Sequence, residues 1–235
     1  MTNIQGQIHG VWSAVAAATG GAGAAVMFLG ARRSDGVSEI ARNFAELSAT
    51  RAAKSVWLLD LDFFSESQFE ALGGRSGQLA GPFDMTFGRM PFWRAAPRAY
   101  DGGQGEGAVV AYRTRTDKLF VSRFNKSALQ IEQKLQVAPA PDYWRAVRSN
   151  VDMTIVDAPA LEQSRAGLAL VSDMDGVVLV IDAANGDVGD AVEMRDEVMG
   201  RGGRCLGIVV SQLGVPARKN LFGRARKTRE FERED

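Results

Sequence analysis

The sequence predicts an α/β fold, a mostly parallel sheet with helices on both faces. Two observations carry this. Apolar runs at Ala25 to Leu29, Lys54 to Leu61, Met153 to Asp157, Gly176 to Ile181 and Cys205 to Val210 show no polar alternation. A strand of that kind is buried on both faces, as in parallel sheets. Stretches with helical spacing lie between several of these runs, and strands alternating with helices give the covered parallel architecture.

Taken in order, Ile4 to Ala18 predicts a helix with Ile8, Val11, Trp12 and Val15 on one side, closed by Thr19 to Gly23. The apolar stretch Ala14 to Ala31 is broken by Thr19, Gly20, Gly21 and Gly23, so it reads as helix, turn and strand, not a membrane span. Val37, Ile40, Phe44 and Leu47 recur at helical spacing after the first strand. Lys54 to Leu61 ends in acid, and Met153 to Val156 ends at Asp157. Asp187 to Met199 is a helical stretch carrying Val188, Val192 and Val198.

Residues 73 to 117 read as a variable insertion. Gly73-Gly74, Gly77, Gly81-Pro82 and Asp101-Gly102-Gly103 mark loops. Ala108 to Arg113 and Lys118 to Phe124 can pair as a hairpin, or the latter can join the main sheet. Phe83, Phe87, Phe92, Trp93 and Tyr100 fall here, as packing residues in preference to a partner surface. The whole chain, residues 1 to 235, is expected to form one domain. Its N-terminal helix and turn span residues 1 to 24, and a basic tail spans residues 216 to 235. That tail holds Arg218, Lys219, Arg224, Arg226, Lys227, Arg229 and Arg233. It reads as a solvated terminus, with a contact for acidic lipid or a partner as the sharper alternative.

Composition narrows the function. Lys plus Arg number 28 and Asp plus Glu number 28, so bulk charge gives no argument for nucleic acid or an anionic membrane. Cys205 is the single cysteine and is expected inside a buried strand. With no disulfide framework and no basic signal start, a cytoplasmic location is expected. His9, the lone histidine, lies on a surface helix, leaving nothing from which to build a zinc site or a hydrolase triad. A dinucleotide fingerprint needs its glycines directly after the first strand, and Gly20 to Gly23 precede it.

The most informative stretch is Val26 to Ser38. It reads as strand, tight loop and helix start, the layout of a P-loop in a Rossmann-like sheet. Such a loop ends Gly-Lys-Ser/Thr, because the lysine reaches the phosphates and the hydroxyl holds magnesium. Here Gly36 and Ser38 are kept, the lysine slot is Val37, and the first glycine slot is Ala31. Leu58-Leu59-Asp60-Leu61-Asp62, the strand ending Asp157-Ala158-Pro159, and Asp173-Met174-Asp175-Gly176 follow in turn. Ligands of open α/β sheets sit at the carboxyl ends of strands, where Asp60, Asp62 and Asp157 would converge.

Together these motifs resemble the deviant-Walker P-loop ATPases, the MinD/ParA class. Within it the chain looks most like the cytoplasmic domains of the bacterial tyrosine kinases of polysaccharide export. The resemblance covers about residues 25 to 70 and 140 to 213. It implies a vestigial nucleotide site at Arg32, Gly36, Ser38, Asp60, Asp62, Asp157 and Ser211, with Arg32 in the family's signature-lysine position and Ser211 in its adenine-contacting position. Weak binding of ATP or ADP with magnesium is the only cofactor left open, with no resident cofactor, metal or catalytic residue expected. No tyrosine follows Tyr143, and Ile4 to Trp12 contains no arginine, so neither the family's C-terminal tyrosine cluster nor its oligomer motif is present.

The resulting expectation is a non-catalytic or weakly nucleotide-binding cytoplasmic protein, peripheral to the inner membrane through a partner. By resemblance that partner is the chain-length-determining or co-polymerase protein of an exopolysaccharide, capsule or holdfast system. A MinD/ParA-like positioning factor for a polar pilus or flagellum, and a weak ATP-dependent homodimer switch, are the alternatives.

Overall fold

The computed structural model describes residues 4–20, 23–87, 90–96, 108–129, 132–184 and 186–211. Helix α1 (Ile4–Thr19) leads into strand β1 (Ala24–Gly30), a short 3-10 turn (Arg33–Asp35) and helix α2 (Val37–Ala49). Strand β2 (Val56–Asp60) and helix α3 (Ser67–Ala71) follow. Strands β3 (Ala80–Asp84), β4 (Trp93–Ala96), β5 (Val109–Arg113), β6 (Leu119–Phe124) and β7 (Lys134–Val137) occupy the middle of the chain. Helix α4 (Pro141–Asn150), strand β8 (Met153–Asp157), strand β9 (Gly176–Asp182), helix α5 (Val188–Gly200) and strand β10 (Cys205–Ser211) complete it.

Eight strands form one sheet in the order β10-β9-β1-β8-β2-β6-β5-β3. The pairings from β10 to β6 are parallel, while β5 and β3 are antiparallel additions. The two readings of Lys118 to Phe124 are therefore both realised: β6 pairs in parallel with β2 and as a hairpin with β5. The stretch from residue 73 to 117 extends the sheet through β3 and β5, and β4 pairs with β7 in a separate ribbon.

The unbroken apolar character of β1 has a direct cause. Side chains alternate across a strand, and both faces of this one are covered. Ala25, Met27 and Leu29 join the core that holds Trp144, Met194 and Val198 of α4 and α5. Ala24, Val26 and Phe28 join the core that holds Ile8, Ile40 and Phe44 of α1 and α2. Phe28 and Phe44 meet with ring centroids 5.1 Å apart.

In the insertion Phe92 and Trp93 are buried, and Phe87 packs on Trp57 and Tyr143. Phe83 is exposed although its ring meets Phe120. Tyr100, Asp101 to Gly103 and the basic tail lie outside the described residues.

The helix expected from Asp187 to Met199 is present as α5, and one expectation, the burial of Cys205, is corrected. Helix α5 buries Ala191, Met194 and Val198, whereas Val188 is 74% exposed and Val192 is also exposed. Cys205 is only half-buried, because β10 is the last strand of the sheet. That edge is partly closed by α1. The Gln7 side-chain amide donates to the Val210 carbonyl at 3.1 Å and accepts from the Val210 N–H at 2.9 Å. No helix among the described residues is long and apolar enough to cross a membrane.

Candidate functional site

The site forms at the carboxyl ends of β1, β2 and β8, where α2 begins. Gly36 closes the 3-10 turn and precedes α2 with φ 79°, a left-handed conformation that glycine adopts without steric cost. No side chain caps the first turn of α2. A cavity of about 230 Å³ opens there, lined by Arg32, Gly36, Ser38, Asp60, Asp62 and Asp157 among others. Six of the seven residues expected at a vestigial nucleotide site thus surround one space.

Ser211 does not line that cavity. It is the last residue of β10 and fully buried, its Oγ has no hydrogen-bond partner, and its carbonyl accepts from Ala183 at 2.8 Å. Three strand steps separate β10 from β8, roughly 14 Å at the usual spacing.

The loop is closed from within. Asp35 is 2% exposed. One of its carboxylate oxygens accepts from the Arg32 N–H at 2.8 Å, and the other from the Asp182 N–H at 3.3 Å. A phosphate loop works by leaving its N–H groups free for an outside anion. Here the protein's own carboxylate takes the Arg32 N–H and ties the loop to the end of β9. Val37 is 6% exposed. Gly30 is needed beneath both residues: a Cβ there would lie 2.6 Å from a Val37 methyl and 3.0 Å from Asp35 Oδ2. The loop cations look outward. Arg32 pairs with Asp190 of α5 at 2.9 Å, and Arg33 is exposed.

Opposite the loop, register places Asp60 of β2 beside Asp157 of β8. Asp60 is well hydrogen-bonded: one oxygen accepts from the Asp62 N–H at 2.9 Å, the other from the Ser67 hydroxyl at 3.0 Å and the Gln68 N–H at 3.2 Å. Burial still pushes its carboxyl up from the usual 3.8 to about 6. Asp157 is driven further, to about 7, first by burial and then by the neighbouring Asp60 charge, with the Gln68 amide and Ser38 hydroxyl pulling it back.

Gln68 organises the pair. Its Nε2 donates to Asp157 Oδ2 and to the Ser38 carbonyl, both at 2.7 Å, while its Oε1 accepts from Arg42 at 3.0 Å. Asp157 Oδ1 has no hydrogen-bond partner. Among the described residues no group of three or more His, Cys, Asp or Glu is arranged to hold a metal ion.

Sequence reasoning missed Asp35, Ser67, Gln68 and Arg42. For Asp35 a signal existed, an acid immediately before the loop glycine. The other three belong to no motif.

No family model matches the chain, and none of the curated proteins does. Solved structures do match. The kinase domain of VpsO superposes with a TM-score of 0.58 at 15% identity, over 89% of this chain and 97% of that one. The fold is that of a bacterial tyrosine kinase domain. The BceF tyrosine kinase domain agrees, with a TM-score of 0.53 at 12% identity over 88% of this chain and 75% of that one. A nucleotide-binding protein from Archaeoglobus fulgidus, solved with ADP, gives 0.51 at 16% identity over 84% and 70%. Within this fold the chain carries a buried Val37 and the Asp35 carboxylate inside its loop.

Proposed function

We propose that this chain is a non-catalytic cytoplasmic partner of a membrane assembly for polysaccharide synthesis or export, with nucleotide binding weak or lost. The observation that carries the reading is the loop: a buried valine stands in the lysine position, and an internal carboxylate takes the Arg32 N–H. Charge on a transferring phosphoryl group must be neutralised by aimed donors or metal. This loop offers an aliphatic side chain and an anion instead.

The export role is carried by the sequence resemblance to the polysaccharide-export kinases, and the likeness of fold to tyrosine kinase domains supports it. The partner is then the membrane co-polymerase protein, which such a domain would regulate by contact and not by phosphorylation.

Two measurements test the reading. Steady-state phosphate release from ATP should not exceed that of an Asp157→Ala control, and turnover above the control would overturn the non-catalytic part. Affinity purification from detergent-solubilised native membranes should recover a polysaccharide-export membrane protein. Recovery of pilus or flagellar components instead would favour the positioning alternative.

A further inference from the structure

Exposed apolar side chains are unevenly spread over the described residues. Seven large ones are exposed, and four of them, Val188, Val192, Met199 and Ile208, each at least 42% exposed, gather at the β10 end of the sheet. Around the axis of α5, Val188, Val192 and Met199 fall within about 40° of one another at the helical ~100° per residue. The buried row Ala191, Met194 and Val198 lies beside them. Beyond that row, Asp190 pairs with Arg32 in the loop after β1, and Glu197 pairs with Arg165 at 2.8 Å. That side of α5 is turned toward β1, and the apolar stripe is turned toward the β10 edge. Val209 of β10 joins the core under α1 and α2, so strand alternation sends Ile208 to the α5 face. Single exposed apolar residues are ordinary, whereas a group of them on one flank marks a surface that something covers.

Charge and chain path select the occupant. From Asp187 to Gly200 the stretch carries five acids and only Arg195 as a cation. Arg195 is paired with Asp196, and Arg32 and Arg165 match two more acids, which leaves the charges of Asp187 and Glu193. A second copy would bring the same acids face to face, and an anionic membrane would be repelled. A basic segment fits instead, and the chain supplies one at the right place. Residues 212–235 lie outside the described residues. They continue from Ser211, whose carbonyl accepts from the Ala183 N–H at 2.8 Å, just ahead of α5. Residues 212–229 hold six Lys or Arg and no acid, with Leu213, Val215, Leu221 and Phe222 among them. The stripe runs along a helix of 13 residues, about 20 Å, and a segment of 24 residues spans about 36 Å even if wholly helical.

We propose that residues 212–235 of this chain turn back along α5 and cover the stripe of Val188, Val192, Met199 and Ile208, with Leu221 and Phe222 as the main apolar contacts. The basic residues of the segment then lie over the acidic helix. This contact is independent of nucleotide binding at the cavity beside α2.

The Lys and Arg residues of the segment supply the readout, because trypsin cleaves after them. In limited digestion of the full chain, followed by intact mass, Val192→Glu with Met199→Glu should speed loss of the tail by at least about fivefold. Leu221→Ser with Phe222→Ser should do the same from the other side of the contact. Phe83→Ser, at the opposite end of the sheet, should leave the rate unchanged. Hydrogen exchange of residues 188–200 should be slower in the full chain than in a chain ending at Gln212, at every protein concentration. Unchanged tail loss in both double variants overturns the proposal. Protection of α5 that grows with concentration alongside a doubled molar mass assigns the stripe to a second copy and overturns it too. So does protection that appears only when anionic vesicles or a membrane extract is added, which assigns the stripe to an outside partner.

Discussion

The two ends of the parallel sheet carry the same residue types and treat them oppositely. At the amino end, before β9, Asp175 Oδ2 accepts from the Ala25 N–H at 2.7 Å and from Arg148 Nε at 2.8 Å. Asp173 accepts from the Ala140 N–H at 2.7 Å, and Arg148 also donates to the Asp173 carbonyl at 2.5 Å. These acids meet fixed donors supplied by neighbouring elements. At the carboxyl end Asp157 faces Asp60, its charge is raised in energy by burial, and one oxygen has no partner. Satisfied carboxylates hold a fold together, whereas two buried carboxylates side by side, one of them with an oxygen left without a partner, cost stability.

The comparison breaks most readily at Arg148. Arg148→Ala strands the Asp175 carboxylate and the Asp173 carbonyl, and the unfolding free energy should fall by about 3 kcal/mol, read by urea denaturation. A neutral result would mean that the amino end is not held by its ion pair.

Asp157→Asn should act with the opposite sign. It removes a charge the fold disfavours and keeps a carbonyl to accept from Gln68, so at pH 8 the variant should be more stable than the parent by about 2 kcal/mol. Because burial raises the folded carboxyls of Asp60 and Asp157, the folded state holds their protons more tightly than the unfolded chain. Their contribution is fully present below the usual 3.8 and is lost as pH rises through about 6 and 7. The advantage of the variant should therefore be present at pH 8 and gone by pH 4. An advantage equal at both values would trace it to packing instead of charge. The smallest effect is expected on α5, where Val188→Ser, at a residue 74% exposed, should change stability by less than about 0.5 kcal/mol.

Much of this was legible in the chain. Buried strands announce themselves by unbroken apolar runs, and the sheet followed from five of them. The cavity residues were legible because a loop glycine, a first-turn hydroxyl and acids at strand ends occupy fixed topological places. The buried side of α5 was not legible, because valine at helical spacing does not say which side of a helix meets the sheet, and that side runs through Ala191, Met194 and Val198. Gln68, Ser67 and Arg42 were illegible because their importance comes from α3 meeting α2 and β8, contacts between segments distant in sequence. Asp35 was visible as a residue, but its inward carboxylate was not.

The Gln7–Val210 amide pair has a consequence for the sheet as a whole. A final strand normally presents a repeating ladder of open donors and acceptors, to which another strand can add. The side-chain amide of Gln7 copies one rung of such a neighbour and, being a side chain, offers no second rung beyond it. Helix α1 therefore serves as a chain terminator for the sheet. A chain lacking its first twenty residues would turn the same strand, with Ile208 exposed upon it, from a stop into a template for growth.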